Sequence, residues 1–204
     1  MDSCPVVSSD LKASVRAACP TLVLASQSPN RRRLLEDCGV RVLARPQDID
    51  EMCGLTEPAA VVQTLSRQKM DSYLTSPDFD PALPAAAVDT LVCLDGKLLG
   101  KPFDDEDAAK MLRMLSGRTH EVLSGLCVYN PAVKAVSEVF DTSLVRFHEL
   151  SDNEIEWYVS TGDPMGAAGA YKIQSNGYRL IDNISGSFSN IIGLPLEKLV
   201  ELLG

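Results

Sequence analysis

The chain has 204 residues, 45% of them apolar, which is enough for one substantial core. Its formal net charge of −9 argues against general binding to nucleic acid or to a membrane, while leaving room for an anionic small molecule in a local basic pocket. Six cysteines with no C-x-x-C pair, several inside apolar stretches, read as reduced thiols of a cytoplasmic protein.

Residues 1–20 read as an N-terminal extension with one short helix over 10–19 and no chemistry of their own. No basic segment precedes a long apolar run, which speaks against a signal peptide, and no stretch reaches membrane-spanning length. Residues 22–25 form an apolar run expected as a buried strand. It leads into residues 26–39, SQSPNRRRLLEDCG, which open a basic helix. Ser28 suits the N-cap and Pro29 the first helical position, and Gly39 stands where a left-handed residue would end the helix. Unpaired N–H groups at that start, the Ser26 and Ser28 hydroxyls and the arginines Arg31, Arg32 and Arg33 together suit a polyphosphate. Successive helical residues point about a hundred degrees apart, so at least one arginine is expected in solvent or paired with Glu36 or Asp37.

Residues 40–44 read as a second strand, followed by the acidic loop of Asp48, Asp50 and Glu51. That loop is either a solvated surface or a carboxylate donor for a hard cation such as Mg²⁺. Thr56 is placed to cap a helix ending at Leu74. Its apolar stripe of Val62, Leu65 and Tyr73 also carries Lys69, which either snorkels at the edge or reaches for an anion. Residues 76–84, with three prolines, read as a surface loop. In residues 85–102 two apolar runs flank Asp95-Gly96, a type I′ hairpin signal. Asp89 interrupts the first run. A carboxylate there is costly unless paired, hydrogen-bonded or metal-bound, which makes it the leading catalytic candidate. Lys101 follows the second run, where its tip can face a cleft.

Asp104 or Asp105 caps a helix with Ala108, Met111, Leu112 and Leu115 inward, ended by Gly117. A strand entered at His120 runs through Val128, and another over 142–147 ends at His148. Two histidines in separate strands with no nucleophile beside them are expected to be structural. Ser151 and Glu154 fit a capping box. Residues 162–177, GDPMGAAGAYKIQSNG, either let the backbone approach a ligand or form only a flexible loop. Within them the Gln174 amide can both donate to and accept from a base edge. The chain closes with turn-rich ISGSFSN, apolar IIGLP and a helix bearing Leu196, Leu199, Val200 and Leu203.

The blocks SQSPNRRRLL, DIDE, VDTLVCLDGKLLGKP, LSGRTHEVLSG, GDPMGAAGAYKIQ and ISGSFSNIIGLPL occur in this order, and together they resemble the Maf family of septum-formation inhibitor-like nucleotide pyrophosphatases. The resemblance implies a single α/β domain over 21–204, Maf-like (ITPase-like), with a long twisted mixed β-sheet, flanking helices and a deep cleft between two lobes, often as a homodimer. It implies hydrolysis of a nucleoside triphosphate to monophosphate and pyrophosphate, a house-cleaning role, with a divalent metal cation, Mg²⁺ or Mn²⁺. Carried over by position, Asp89 matches the proton-accepting aspartate. Ser26 and Arg31, with Ser28 between them, match the phosphate-binding pattern. Lys69 and Lys101 match cleft cations that bind substrate, and Glu51 with Asp89 would hold the metal. Arg31, Thr90 and Gln174 match positions tied to base preference. Asn30 departs from the motif's usual first arginine. Asp89-Thr90 and the YKIQ stretch favour the dTTP/UTP subgroup over 7-methyl-GTP or modified purines. Outside enzymology, the alternative is a non-catalytic nucleotide-binding regulator of cell division.

Overall fold

A computed structural model describes residues 6–49 and 53–204. After helix α1 (Ser9–Ala18), strand β1 (Thr21–Leu24), helix α2 (Pro29–Asp37) and strand β2 (Arg41–Ala44) form a β–α–β unit with β1 and β2 parallel. Helix α3 (Pro58–Leu74) then leads to β3 (Ala85–Leu94), which lies parallel to β1 on its other side. β3 turns through Asp95 and Gly96 into β4 (Lys97–Leu99). Asp95 has φ 49° and Gly96 φ 78°, the two left-handed positions a type I′ turn requires.

Helix α4 (Asp105–Leu115) precedes two long antiparallel strands, β5 (Thr119–Asn130) and β6 (Ala135–Phe147). Helix α5 (Asp152–Ser160), two short 3₁₀ turns, β7 (Ile181–Ser185), α6 (Phe188–Ile192) and α7 (Leu196–Leu203) complete the chain. The seven strands make one mixed sheet, β2-β1-β3-β5-β6-β7, with β4 attached to β3. No helix among the described residues is long and apolar enough to cross a membrane.

β3 and β5 are buried on both faces over most of their length, as strands covered by helices on each side must be. On one face Ala86, Val88, Leu126 and Val128 pack under α1, α2 and α7, and on the other Ala85, Ala87 and Cys127 pack under α3. A separate core gathers the far ends of β3 and β5 with α4 and α5, centred on Leu112, Leu115, Phe147 and Tyr158. The long strands therefore tie two core regions into one domain.

Three local expectations needed correction, and one open alternative is narrowed. Glu57, not Thr56, caps α3, its carboxylate accepting the Ala59 and Ala60 N–H groups at 3.2 and 2.7 Å. β6 begins at Ala135 rather than Thr142, because every residue from 135 to 146 has a register partner on β5, while the exposed side chains near its start hide the alternation. β7 and α6 occupy the stretch that reads as turns. Loop 162–177 is not slack. Lys172 N–H donates to the Tyr158 hydroxyl at 3.0 Å, the Asp163 carboxylate accepts two N–H bonds from Asn176, and Tyr171 and Ile173 are buried.

Candidate active site

β5 lines one edge of β3 from Ala85 to Cys93. On the opposite edge β1 pairs only with Ala85 and Ala86, and β4 only with residues 92–94. Residues 87–91 thus border a gap in the ladder, between the end of β1 and the start of β4. Breaks of this kind, at the carboxyl end of a parallel strand where the chain diverges, are where α/β proteins place ligands.

Asp89 lies in the middle of the gap. A strand alternates its side chains, so Asp89 faces α3 while Thr90 faces α2 and α6. Asp89 is 8% exposed, and its Oδ1 accepts a hydrogen bond from Lys69 Nζ at 2.7 Å. The lysine is buried too, so its ammonium does not reach bulk water along the helix surface as a snorkelling side chain would. The cause is a glycine. Gly125 is the cross-strand partner of Asp89, and a Cβ there would land on the Val62 carbonyl of α3. The helix can therefore lie directly on the sheet, with Lys69, two turns beyond Val62, over the carboxylate. The second Asp89 oxygen makes no hydrogen bond with the described residues and is not sealed from solvent.

The other face carries a different arrangement. Arg31 Nε donates to the Gly193 carbonyl at 2.7 Å, Nη1 to Ser26 Oγ at 2.9 Å and to the Val88 carbonyl at 3.0 Å, and Nη2 to Thr90 Oγ1 at 2.9 Å. A guanidinium has five N–H donors, so these four bonds leave at most one for a ligand. Ser28 caps α2, its Oγ accepting the Arg31 N–H at 3.4 Å, and Ser26 Oγ accepts the Ser28 N–H at 3.2 Å. Arg32 pairs with Glu36 at 2.8 Å in solvent, and Arg33 is exposed. Of the three consecutive arginines, only Arg31 enters the gap.

Ser26, Ser28, Arg31 and Thr90 thus form one bonded network and Lys69 with Asp89 another, on opposite faces of the same strand. Lys101 is exposed, one residue past Gly100, whose carbonyl accepts the Gly169 N–H at 3.0 Å. Gln174 is half-buried between the 3₁₀ turns, and its side chain makes no hydrogen bond among the described residues. Glu51 and Asp50 lie outside the described residues. The loop leading to them is tied to α3 through Ser72 Oγ, which donates to Gln47 Oε1 at 2.8 Å. Ser72 is one helical turn beyond Lys69.

Both histidines stand away from the gap. His120 is buried against Phe147 and Tyr171, with Nε2 2.9 Å from the Tyr171 hydroxyl, and burial pushes its pKa down to about 4. Burial likewise pushes the Tyr171 and Tyr158 hydroxyls up. His148 has its ring nitrogens 3.0 Å from the Glu149 carbonyl and 3.2 Å from that of Arg179.

Three residues that the sequence reading left out belong to the Arg31 network. Ser124 Oγ is 2.8 Å from Thr90 Oγ1, Gly193 supplies the carbonyl that holds Arg31 Nε, and the Asn190 carbonyl lies 3.3 Å from Ser124 Oγ. Ser124 is the register partner of Thr90, so the pairing of β3 with β5 is what brings the two hydroxyls together.

Among the described residues no group of three or more His, Cys, Asp or Glu side chains is placed to hold a metal. The family model described as Maf-like protein matches residues 21–204. A dTTP/UTP pyrophosphatase of Anaeromyxobacter dehalogenans (strain 2CP-C) is 45% identical over 188 residues, covering 90% of this chain and 93% of that protein. Proteins of the same description from Symbiobacterium thermophilum and Shewanella denitrificans are 40% and 42% identical. Those matches span 89% and 90% of this chain and 92% and 94% of the relatives.

Proposed function

Because the chain belongs to the Maf-like protein family, we propose that it hydrolyses pyrimidine nucleoside triphosphates, dTTP and UTP foremost, to the monophosphate and pyrophosphate. The observation that carries this reading is the buried Lys69–Asp89 pair at a break in the sheet, with one carboxylate oxygen held and the other open. A site that only bound nucleotide would have no use for a carboxylate facing a polyphosphate.

In this reading the gap at residues 87–91 is the floor of a cleft between the two core regions. The triphosphate lies across it, with the Lys101 ammonium, the Ser28 region and the uncommitted Asn30 N–H at the start of α2 meeting its oxygens. Lys69 orients Asp89 by holding Oδ1. The open oxygen then accepts a proton from the water that attacks at the bond between the α and β phosphates. Arg31, with four N–H groups engaged, mainly holds Ser26 and Thr90 in place beside the bound nucleotide. Thr90 and Gln174 read the pyrimidine from either side.

A divalent cation suits carboxylates at this place, since Mg²⁺ is commonly bound by one or two carboxylates together with substrate phosphates. Asp89 and Glu51 would hold Mg²⁺ or Mn²⁺, which when bound neutralises charge on the phosphate oxygens. The protein works in the cytoplasm, which suits its free buried thiols, and as a homodimer, as the family resemblance implies.

The test is a panel of dTTP, UTP, CTP, dGTP and 7-methyl-GTP with Mg²⁺, scored by release of pyrophosphate and monophosphate. The expected result is kcat/KM at least about tenfold higher for dTTP and UTP. Asp89→Asn should lower kcat by about 10²–10⁴, the range typical of a lost general base. Preference for 7-methyl-GTP would move the chain to the purine-directed reading. Tight dTTP binding with no turnover would favour a regulator.

A further inference from the structure

Thr90 Oγ1 accepts a hydrogen bond from Arg31 Nη2 at 2.9 Å. It also lies 2.8 Å from Ser124 Oγ and 3.3 Å from the Gly193 carbonyl, while Ser124 Oγ lies 3.3 Å from the Asn190 carbonyl. Two hydroxyl protons must be shared among these atoms, and only two arrangements satisfy the distances. Either Ser124 donates to the Asn190 carbonyl and Thr90 donates to Ser124, or Ser124 donates to Thr90 and Thr90 donates to the Gly193 carbonyl. In both, the short Thr90–Ser124 bond is made and a lone pair of Thr90 faces Arg31. In the first the chain ends on a carbonyl inside α6, and in the second on that of Gly193 just after α6, the carbonyl that also holds Arg31 Nε at 2.7 Å.

The ring of bonds has little room to adjust. Ser124 is fully buried, and a Cβ at Gly193 would come within 3.4 Å of both Arg31 Nε and Thr90 Oγ1. Gly193 also has φ +116°, a conformation that other residues resist. The orientations of Thr90 and Arg31 are therefore set from behind, by a buried serine that has no direct line to the gap.

We propose that Ser124 is a specificity-positioning residue, which fixes Thr90 and through it the Arg31 guanidinium, so that the pair presents one geometry to the bound nucleoside. This rests on the nucleotide-hydrolysis reading above and deepens it. Thr90 and Arg31 spend nearly all their hydrogen-bonding capacity on the protein, so they discriminate by shape and placement more than by spare donors. A rotor freed at Thr90 would loosen that shape.

The experiment uses the full-length chain and compares wild type, Ser124→Ala, Thr90→Val and the double variant with dTTP and dGTP, after circular dichroism has shown that each is folded. Ser124→Ala should raise KM for dTTP about tenfold, change kcat less than about threefold, and shrink the dTTP/dGTP ratio of kcat/KM about tenfold. Thr90→Val breaks the same bond from its other end and also removes the acceptor of Arg31 Nη2, so it should act in the same direction and at least as strongly, with the double variant no worse than Thr90→Val by itself. Should Ser124→Ala fold poorly, Ser124→Cys, which keeps the side chain's size and weakens its bond to Thr90, carries the test, with the same shifts expected in smaller measure. An unchanged nucleotide ratio in an active variant, or additive losses in the double, would overturn the proposal. A wild-type chain inert towards every triphosphate would instead overturn the functional reading beneath it.

Discussion

Lys69→Met removes the ammonium that faces Asp89 while keeping an unbranched stem in the same space. The two charged atoms are 2.7 Å apart with side chains only 10% and 11% exposed. At an effective dielectric of about 20 their direct attraction is about 6 kcal/mol, largely offset by the cost of taking both ions out of water. The net worth of the intact pair is therefore small, but one-sided removal strands a buried charge and should cost about 3–5 kcal/mol. Asp89→Asn should cost somewhat less, because its amide oxygen still accepts from Lys69 Nζ. With both charges gone, Lys69→Met/Asp89→Asn should be no more than about 1 kcal/mol worse than the worse single, a coupling of at least about 2 kcal/mol. Urea unfolding of the four proteins, followed by intrinsic fluorescence, measures this. Costs that add to within about 0.5 kcal/mol would show that the two groups do not depend on each other. Lys69 would then not be what holds the carboxylate for catalysis.

Three further outcomes are expected. Gly125→Ala places a methyl on the Val62 carbonyl and must lift α3 from β5, so it should destabilise by about 1–3 kcal/mol or more and lower kcat by separating Lys69 from Asp89; normal turnover in a folded variant would contradict the packing argument. His120 has its folded-state pKa pushed down to about 4 from an ordinary 6.5, so the unfolded chain takes up the proton first as pH falls. Its contribution is present above about pH 6.5 and lost as pH falls towards 4, about 3 kcal/mol in all and about 2 kcal/mol by pH 5; unfolding at pH 7 and pH 5 should show this slope in wild type and lack it in His120→Gln. Burial pushes the Cys19 and Cys127 thiols up to about 11 and 12, so with Cys4 replaced by serine an aromatic disulfide reagent at pH 8 should label half-buried Cys53 first. Cys19 and Cys127 should react only on unfolding, and early labelling of either would contradict their burial.

Features governed by neighbours in sequence could be read without the fold. The Ser28 cap, the Asp104 cap, the Ser151–Glu154 box and the Asp95-Gly96 turn each join residues a few positions apart, and each formed as its residue types require. Asp89 was legible for a related reason, since a carboxylate in an apolar strand needs compensation wherever that strand is packed. What it is compensated by was not legible. Lys69 is 20 residues away, and its stripe position alone fits equally well with a solvated tip; only α3 settling onto Gly125 decides between them. Arg31 shows the same dependence on distant partners. Beside two other arginines it reads as a hand held out to phosphate, yet the folded chain brings in the Gly193 carbonyl from 162 residues away and takes up most of its donors. Local chemistry thus chose the residues able to act, and the register of β3 against β5, with the return of the C-terminal segment, chose what each one touches. Hydrogen bonds and ion pairs act over a few ångströms, and only tertiary packing brings distant parts of the chain within that range.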